Sequence, residues 1–128
     1  MKTVAIESPL AGDVEANLTY LRRCMADCIA NDEAPYASHG LYTQPGVLDD
    51  NVPKQRVRGI RAGFAIAVKM DVRVFYIDLG MTDGMLAGLV NARAVSQPVE
   101  FRALDLTDDE LAVDLLALHQ QAKESHRD

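Results

Sequence analysis

The chain has 128 residues, 48% of them hydrophobic, and a formal net charge of −6. That length suits one domain, residues 1–128, and is short for two; no apolar run approaches the roughly 20 residues of a bilayer span. The 13 Lys and Arg are outnumbered by 19 Asp and Glu and are scattered, a poor footprint for a nucleic-acid polymer.

Thr3 to Glu7 reads as a buried strand. From Asp13 the apolar residues Val14, Leu18, Leu21, Met25 and Cys28 recur at alternating steps of four and three, which predicts a helix with one apolar face ending near Asn31. Residues 34–38 form a short second strand. A long loop follows, broken by Gly40, Pro45, Gly46 and Pro53. Loops of this length inside a domain are usually functional or mobile. Pro53 suits the first turn of a second helix, with Val57, Ile60, Phe64 and Ala67 as its buried stripe. Residues 72–77 are the most strand-like segment of the chain. Gly84 to Ser96 reads as a helix, in which Gly88 marks a close approach to the sheet or to a ligand. Pro98 to Leu104 is a fourth strand. Thr107 to Glu110 is a capping box that opens a last helix with Leu111, Leu115 and Leu118 on its apolar face. The tail from Lys123 to Asp128 is charged and expected to fray.

The order βαβαβαβα predicts an α/β fold, an open parallel sheet of about four to five strands with helices on both faces, flavodoxin-like and so Rossmann-like. Met1 to Glu7 lacks the long apolar core and cleavage site of a signal peptide, so a cytoplasmic protein without a membrane partner is expected. Cys24 and Cys28 lie four apart on one helix and read as small core residues. The histidines His39, His119 and His126 show no ligand spacing, so no metal is expected, and nothing in the chain asks for another cofactor.

Three polar loops each follow a strand, and in an open parallel sheet such loops line the ligand crevice. The first contains Ser8, Pro9, Leu10, Gly12 and Asp13. Backbone N–H groups there could receive a polar ligand group, while Asp13 also suits a helix N-cap. The second carries Ser38 and His39, then Asp49 and Asp50, which suit ribose hydroxyls or a turn. The third carries Asp78, Gly80, Asp83, Gly84 and Met85. Asp78 ends a buried strand, where a carboxylate needs hydrogen bonds, and Asp83 suits a helix cap. Lys54, Arg56, Arg58 and Arg61 form a basic cluster that could meet a small anion, or simply a solvated helix face.

Taken together, Ser8-Pro9-Leu10-x-Gly12-Asp13, Ser38-His39, Leu48-Asp49-Asp50, Pro53-x-x-Arg56-x-x-Gly59-Ile60 and Asp78-x-Gly80-x-x-x-Gly84-Met85 resemble a small nucleoside 2-deoxyribosyltransferase-like family of phage and bacterial proteins. The resemblance covers roughly residues 3 to 104. It implies a flavodoxin-like fold, a nucleoside or nucleotide ligand, and a dimer or larger homo-oligomer. In active relatives a glutamate in a Gly-x-Glu-x-Gly-like stretch attacks the sugar anomeric carbon. Here Leu86 aligns with that glutamate, or Gly88 in a shifted alignment, and neither carries an acid. Ala11 stands where such relatives often have a basic residue.

The expectation is therefore a catalytically degenerate protein that binds a small-molecule nucleotide or nucleoside, in a phage setting by sequestering a nucleotide signal. One alternative is an N-glycosidase or deoxyribosyltransferase that uses Asp78, Asp83 or Asp13 as its carboxylate. Another is a protein-interaction module. Apolar helix faces beyond what the strands can cover point to homo-oligomerisation.

Overall fold

The structure is a computed structural model, and it describes residues 1–125. Nine elements alternate as expected: β1 (Lys2–Glu7), α1 (Val14–Ala30), β2 (Glu33–Tyr36), α2 (Ser38–Leu41), α3 (Pro53–Ala67), β3 (Val72–Tyr76), α4 (Asp83–Ala94), β4 (Val99–Arg102) and α5 (Asp108–Ser125). The four strands form one sheet in the order β2-β1-β3-β4, every pair parallel. This is the Rossmann-like open α/β sheet that the alternation predicts. No described helix is long and apolar enough to cross a membrane.

The central strand β3 explains the two cores. Side chains alternate across a strand. Val72, Val74 and Tyr76 join Val4 and Ile6 of β1 under α1, where Tyr20, Leu21, Cys24 and Cys28 pack. Phe75 and Ile77 point the other way, toward Met85 and Leu89 of α4 and Leu111 and Leu115 of α5. Arg73 shares that second face and is wholly buried. Both cysteines are free and buried, as small core residues.

Several local expectations shift. The buried face of α1 runs through Asn17, Tyr20, Leu21, Cys24 and Cys28, while Val14 and Met25 are exposed. The apolar stripe of α3 is displaced in the same way. Val57 is 56% exposed, and the tightest packing is at Gly63 and Ala67. Ser38 ends no strand; it opens the short helix α2 inside the expected loop. The fraying expected of the tail, Lys123 to Asp128, concerns side chains and a terminus outside the described residues.

Candidate functional site

In the order β2-β1-β3-β4 the chain turns to opposite sides after β1 and after β3, which opens a crevice at the carboxyl ends of those strands. The two strands run in register, Glu7 beside Phe75. Glu7 and Ser8 therefore stand at the mouth of the switch point. A cavity of about 320 Å³ opens there, lined by Glu7, Ser8, His39, Asp50, Arg56 and Asp83 among its polar groups, with Leu10, Ile60, Phe64 and Met85 as apolar wall. It continues past Leu10, Ala11, Asp50 and Arg56 into an open lobe of about 940 Å³.

Each loop is held by identifiable bonds. In the first loop, the amide of Asn17 donates to the carbonyls of Leu10 and Ala11 at 2.9 and 3.1 Å. Ser8 Oγ and His39 Nε2 lie 2.7 Å apart, a hydrogen bond whose direction the imidazole tautomer sets. That bond joins the first loop to the second. Burial pushes His39 down to about 4, so its ring is neutral at pH 7. The Thr43 hydroxyl bonds the His39 carbonyl and closes α2. In the third loop, Thr82 caps α4 by accepting from the Met85 N–H at 3.2 Å, which leaves Asp83 free to face the cavity.

Glu7 is the residue that the loop motifs do not reveal. Its side chain is 15% exposed. Arg73 Nη1 donates to Glu7 Oε1 at 3.2 Å and to the Gly88 carbonyl at 2.9 Å, and Nη2 donates to Asn91 at 2.7 Å. Glu7 Oε2 meets no donor among the described residues and is not sealed from solvent, unlike Arg73 Nε and Gln97 Oε1, which are buried and unpartnered. Burial raises the Glu7 carboxyl to about 7, against the pull of the Arg73 charge. Burial also lowers Arg73, against the pull of Glu7.

Gly88 makes this placement possible. A Cβ there would lie 2.5 Å from Glu7 Oε1, 2.6 Å from its carboxyl carbon and 3.0 Å from Oε2, closer than real contacts allow. The carboxylate of β1 thus fills the space in which a side chain at position 88 would begin. Leu86, by contrast, is 38% exposed on the outer side of α4.

The other anticipated residues divide. Ser8, Leu10, Ser38, His39, Asp50, Arg56, Asp83, Gly84 and Met85 meet in the cavity, and Gly12 and Asp49 line the outer lobe. Pro9 is buried beneath them. Asp13 is an N-cap, accepting from the Ala16 N–H at 3.1 Å. Asp49 accepts from the Asn51 N–H at 3.0 Å and does not cap α3. Gly80 sits at φ 87, and that turn accounts for its glycine.

Asp78 has a different task from the one anticipated. It accepts from Tyr20 Oη at 2.5 Å and from the N–H groups of Leu104, Asp105 and Leu106 at 2.8 to 3.2 Å. Burial works to raise its carboxyl, but these donors outweigh it and hold it below the usual range. Its oxygens are committed to the connection after β4, so it is no candidate for chemistry on a ligand.

A family model described as a domain of unknown function, DUF7768, matches residues 2–102. The chain belongs to this family. The matched stretch runs from the start of β1 to the end of β4 and so contains every residue of the crevice named above; α5 lies beyond it. No curated protein matches the chain. Among the residues that the motifs missed, Phe64 and Thr82 gave no distinguishing signal. Glu7 gave one: a lone acid closing an otherwise apolar strand, at the end where parallel sheets bind ligands.

Proposed function

We propose that this DUF7768 protein binds a small sugar-bearing ligand, a nucleoside or nucleotide, in the crevice at the ends of β1 and β3. The observation that carries the reading is the meeting of all three strand-end loops in one cavity of mixed chemistry. Ionised carboxylates at Asp50 and Asp83 accept hydrogen bonds from sugar hydroxyls. Arg56, which forms no salt bridge among the described residues, offers a cation to a phosphate. Leu10, Ile60, Phe64 and Met85 supply an apolar wall for a base. The volumes of the cavity and its lobe fall in the range of small-molecule sites. The resemblance to nucleoside 2-deoxyribosyltransferase-like proteins supports the same ligand class.

Sequestration of a nucleotide signal and assembly into a homo-oligomer are further parts of this proposal. Calorimetry against the common ribo- and deoxyribonucleosides and their monophosphates tests it. Saturable binding by at least one is expected, and it weakens in Asp50→Ala. Absence of binding across the panel overturns the reading.

A further inference from the structure

We propose that Glu7 makes the crevice hydrolytic: it is the general base that activates a water against the anomeric carbon of the bound ligand. The inference rests on the nucleoside-binding reading above and adds chemistry to it. Three observations carry it. The Glu7 carboxyl stands at the floor of the cavity where β1 meets the switch point. One of its oxygens is held by Arg73, which is itself fixed by the Gly88 carbonyl and Asn91, so the group is oriented. The other oxygen, Oε2, meets no donor among the described residues and is left for a ligand or water.

The charge of the cavity selects the bond. Glu7, Asp50 and Asp83 all line it. Acids facing one space repel the nucleophile and the equatorial oxygens of a phosphoryl transfer. They stabilise the positive charge that develops on a sugar ring as its glycosidic bond opens. Of the bonds in a nucleoside, the C–N bond to the base is the one that breaks through such a cation. A cavity of about 320 Å³ holds a sugar ring with an attacking water, which takes about 30 Å³.

The step balances with water as the sole co-reactant. The water oxygen bonds to the anomeric carbon as one water proton passes to Glu7 Oε2. The C–N bond breaks, its electron pair leaves with the base nitrogen, and solvent protonates the base. Glu7 then returns its proton to solvent. The products are a free sugar, or sugar phosphate, and a free base. A carboxyl raised to about 7 suits this role, because a general base works best near the ambient pH.

The groups facing Glu7 are Arg73 from β3, His39 from α2, Arg56 from α3, Asp50 from the preceding loop and Asp83 from α4. Of these, His39 is lowered to about 4 by burial, so it stays neutral through the titration of Glu7.

The test uses the full chain with each panel member that binds it. Chromatography of released base and a reducing-sugar assay measure turnover. The expected result is equimolar base and sugar, with a rate that rises as pH climbs through Glu7's titration. Glu7→Gln is expected to lower kcat on the order of 100-fold or more with little change in Kd. Glu7→Asp keeps a counter-ion for Arg73; should Glu7→Gln fail to fold, it carries the test, with kcat lowered and KM held. Binding without base release overturns the inference and leaves the binding reading intact. So does a full rate in a folded Glu7 variant. Failure of every panel member to bind overturns both.

Discussion

At the residue scale, the Glu7–Arg73–Gly88 unit sets the behaviour of the floor of the crevice. Glu7 has a folded pKa raised from 4.5 to about 7, so the native state holds its proton more tightly than the unfolded chain. The stability from this group is full below 4.5 and is lost as pH rises through about 7. His39 has the opposite sign. Its folded pKa is lowered from 6.5 to about 4, so its contribution is present above 6.5 and is lost as pH falls toward 4. The two oppose each other in the wild-type chain. The difference in unfolding free energy between wild type and Glu7→Gln, measured by denaturant titration at several pH values, is therefore expected to slope downward for wild type between 4.5 and 7. A flat difference contradicts the assignment.

Gly88 allows a second measurement. Replacing Gly by Ala within a helix stabilises by about 1 kcal/mol on propensity alone. Here the new Cβ would strike the Glu7 carboxyl and part it from Arg73. Gly88→Ala is expected to destabilise the wild-type chain by about 1–3 kcal/mol, the usual range for an overpacked site. In a Glu7→Ala background the same change is expected to stabilise. Thermal melts of the four proteins in this cycle give the coupling, and equal effects in both backgrounds would show that Glu7 does not occupy that space.

At the scale of elements, Asp78 fastens the end of β3 to α1 and to the connection after β4. Its partners are Tyr20 and three successive backbone N–H groups, those of Leu104, Asp105 and Leu106. Removing the carboxylate orphans these donors, each worth about 1–3 kcal/mol where water cannot replace it. The connection is partly exposed, so Asp78→Ala is expected to cost about 2–4 kcal/mol by denaturant melt. Ligand affinity at a temperature where the variant is folded is expected to hold, because Asp78 does not line the cavity. A large loss of affinity with little loss of stability would return Asp78 to the site.

Element order was legible in the sequence because strand and helix periods differ, and each segment from β1 to α5 carries one of them. The faces were less legible. A one-residue rotation of the α1 stripe, from Val14 and Met25 to Tyr20 and Cys24, depends on bonds that Tyr20 makes to Asp78, 58 residues away. Local apolar spacing cannot report such a bond.

At the scale of the whole molecule, the sheet order brings the three loops into a single crevice and gives Arg56 access to it from α3. If the ligand carries a phosphate, Arg56→Gln is expected to weaken nucleoside monophosphates about tenfold or more, the worth of a charge-assisted hydrogen bond. Unphosphorylated nucleosides are expected to change little. Calorimetry at two salt concentrations checks this, since contact with an exposed cation is screened by salt. Equal weakening of both ligand classes would place Arg56 away from the phosphate.

The sequence by itself determined the alternating elements, the parallel α/β class and the loops that meet at the strand ends. Those follow from local periodicity, breaker residues and the chain-length demands of parallel crossovers. Only the tertiary structure decided which acids face the crevice. Asp13 and Asp78 are drawn into capping and latching bonds, while Glu7 reaches the crevice floor from β1. The physical reason is that a carboxylate's role depends on what surrounds it in space. Arg73 lies 66 residues away and Gly88 lies 81 residues away, and only the folded sheet brings both against Glu7.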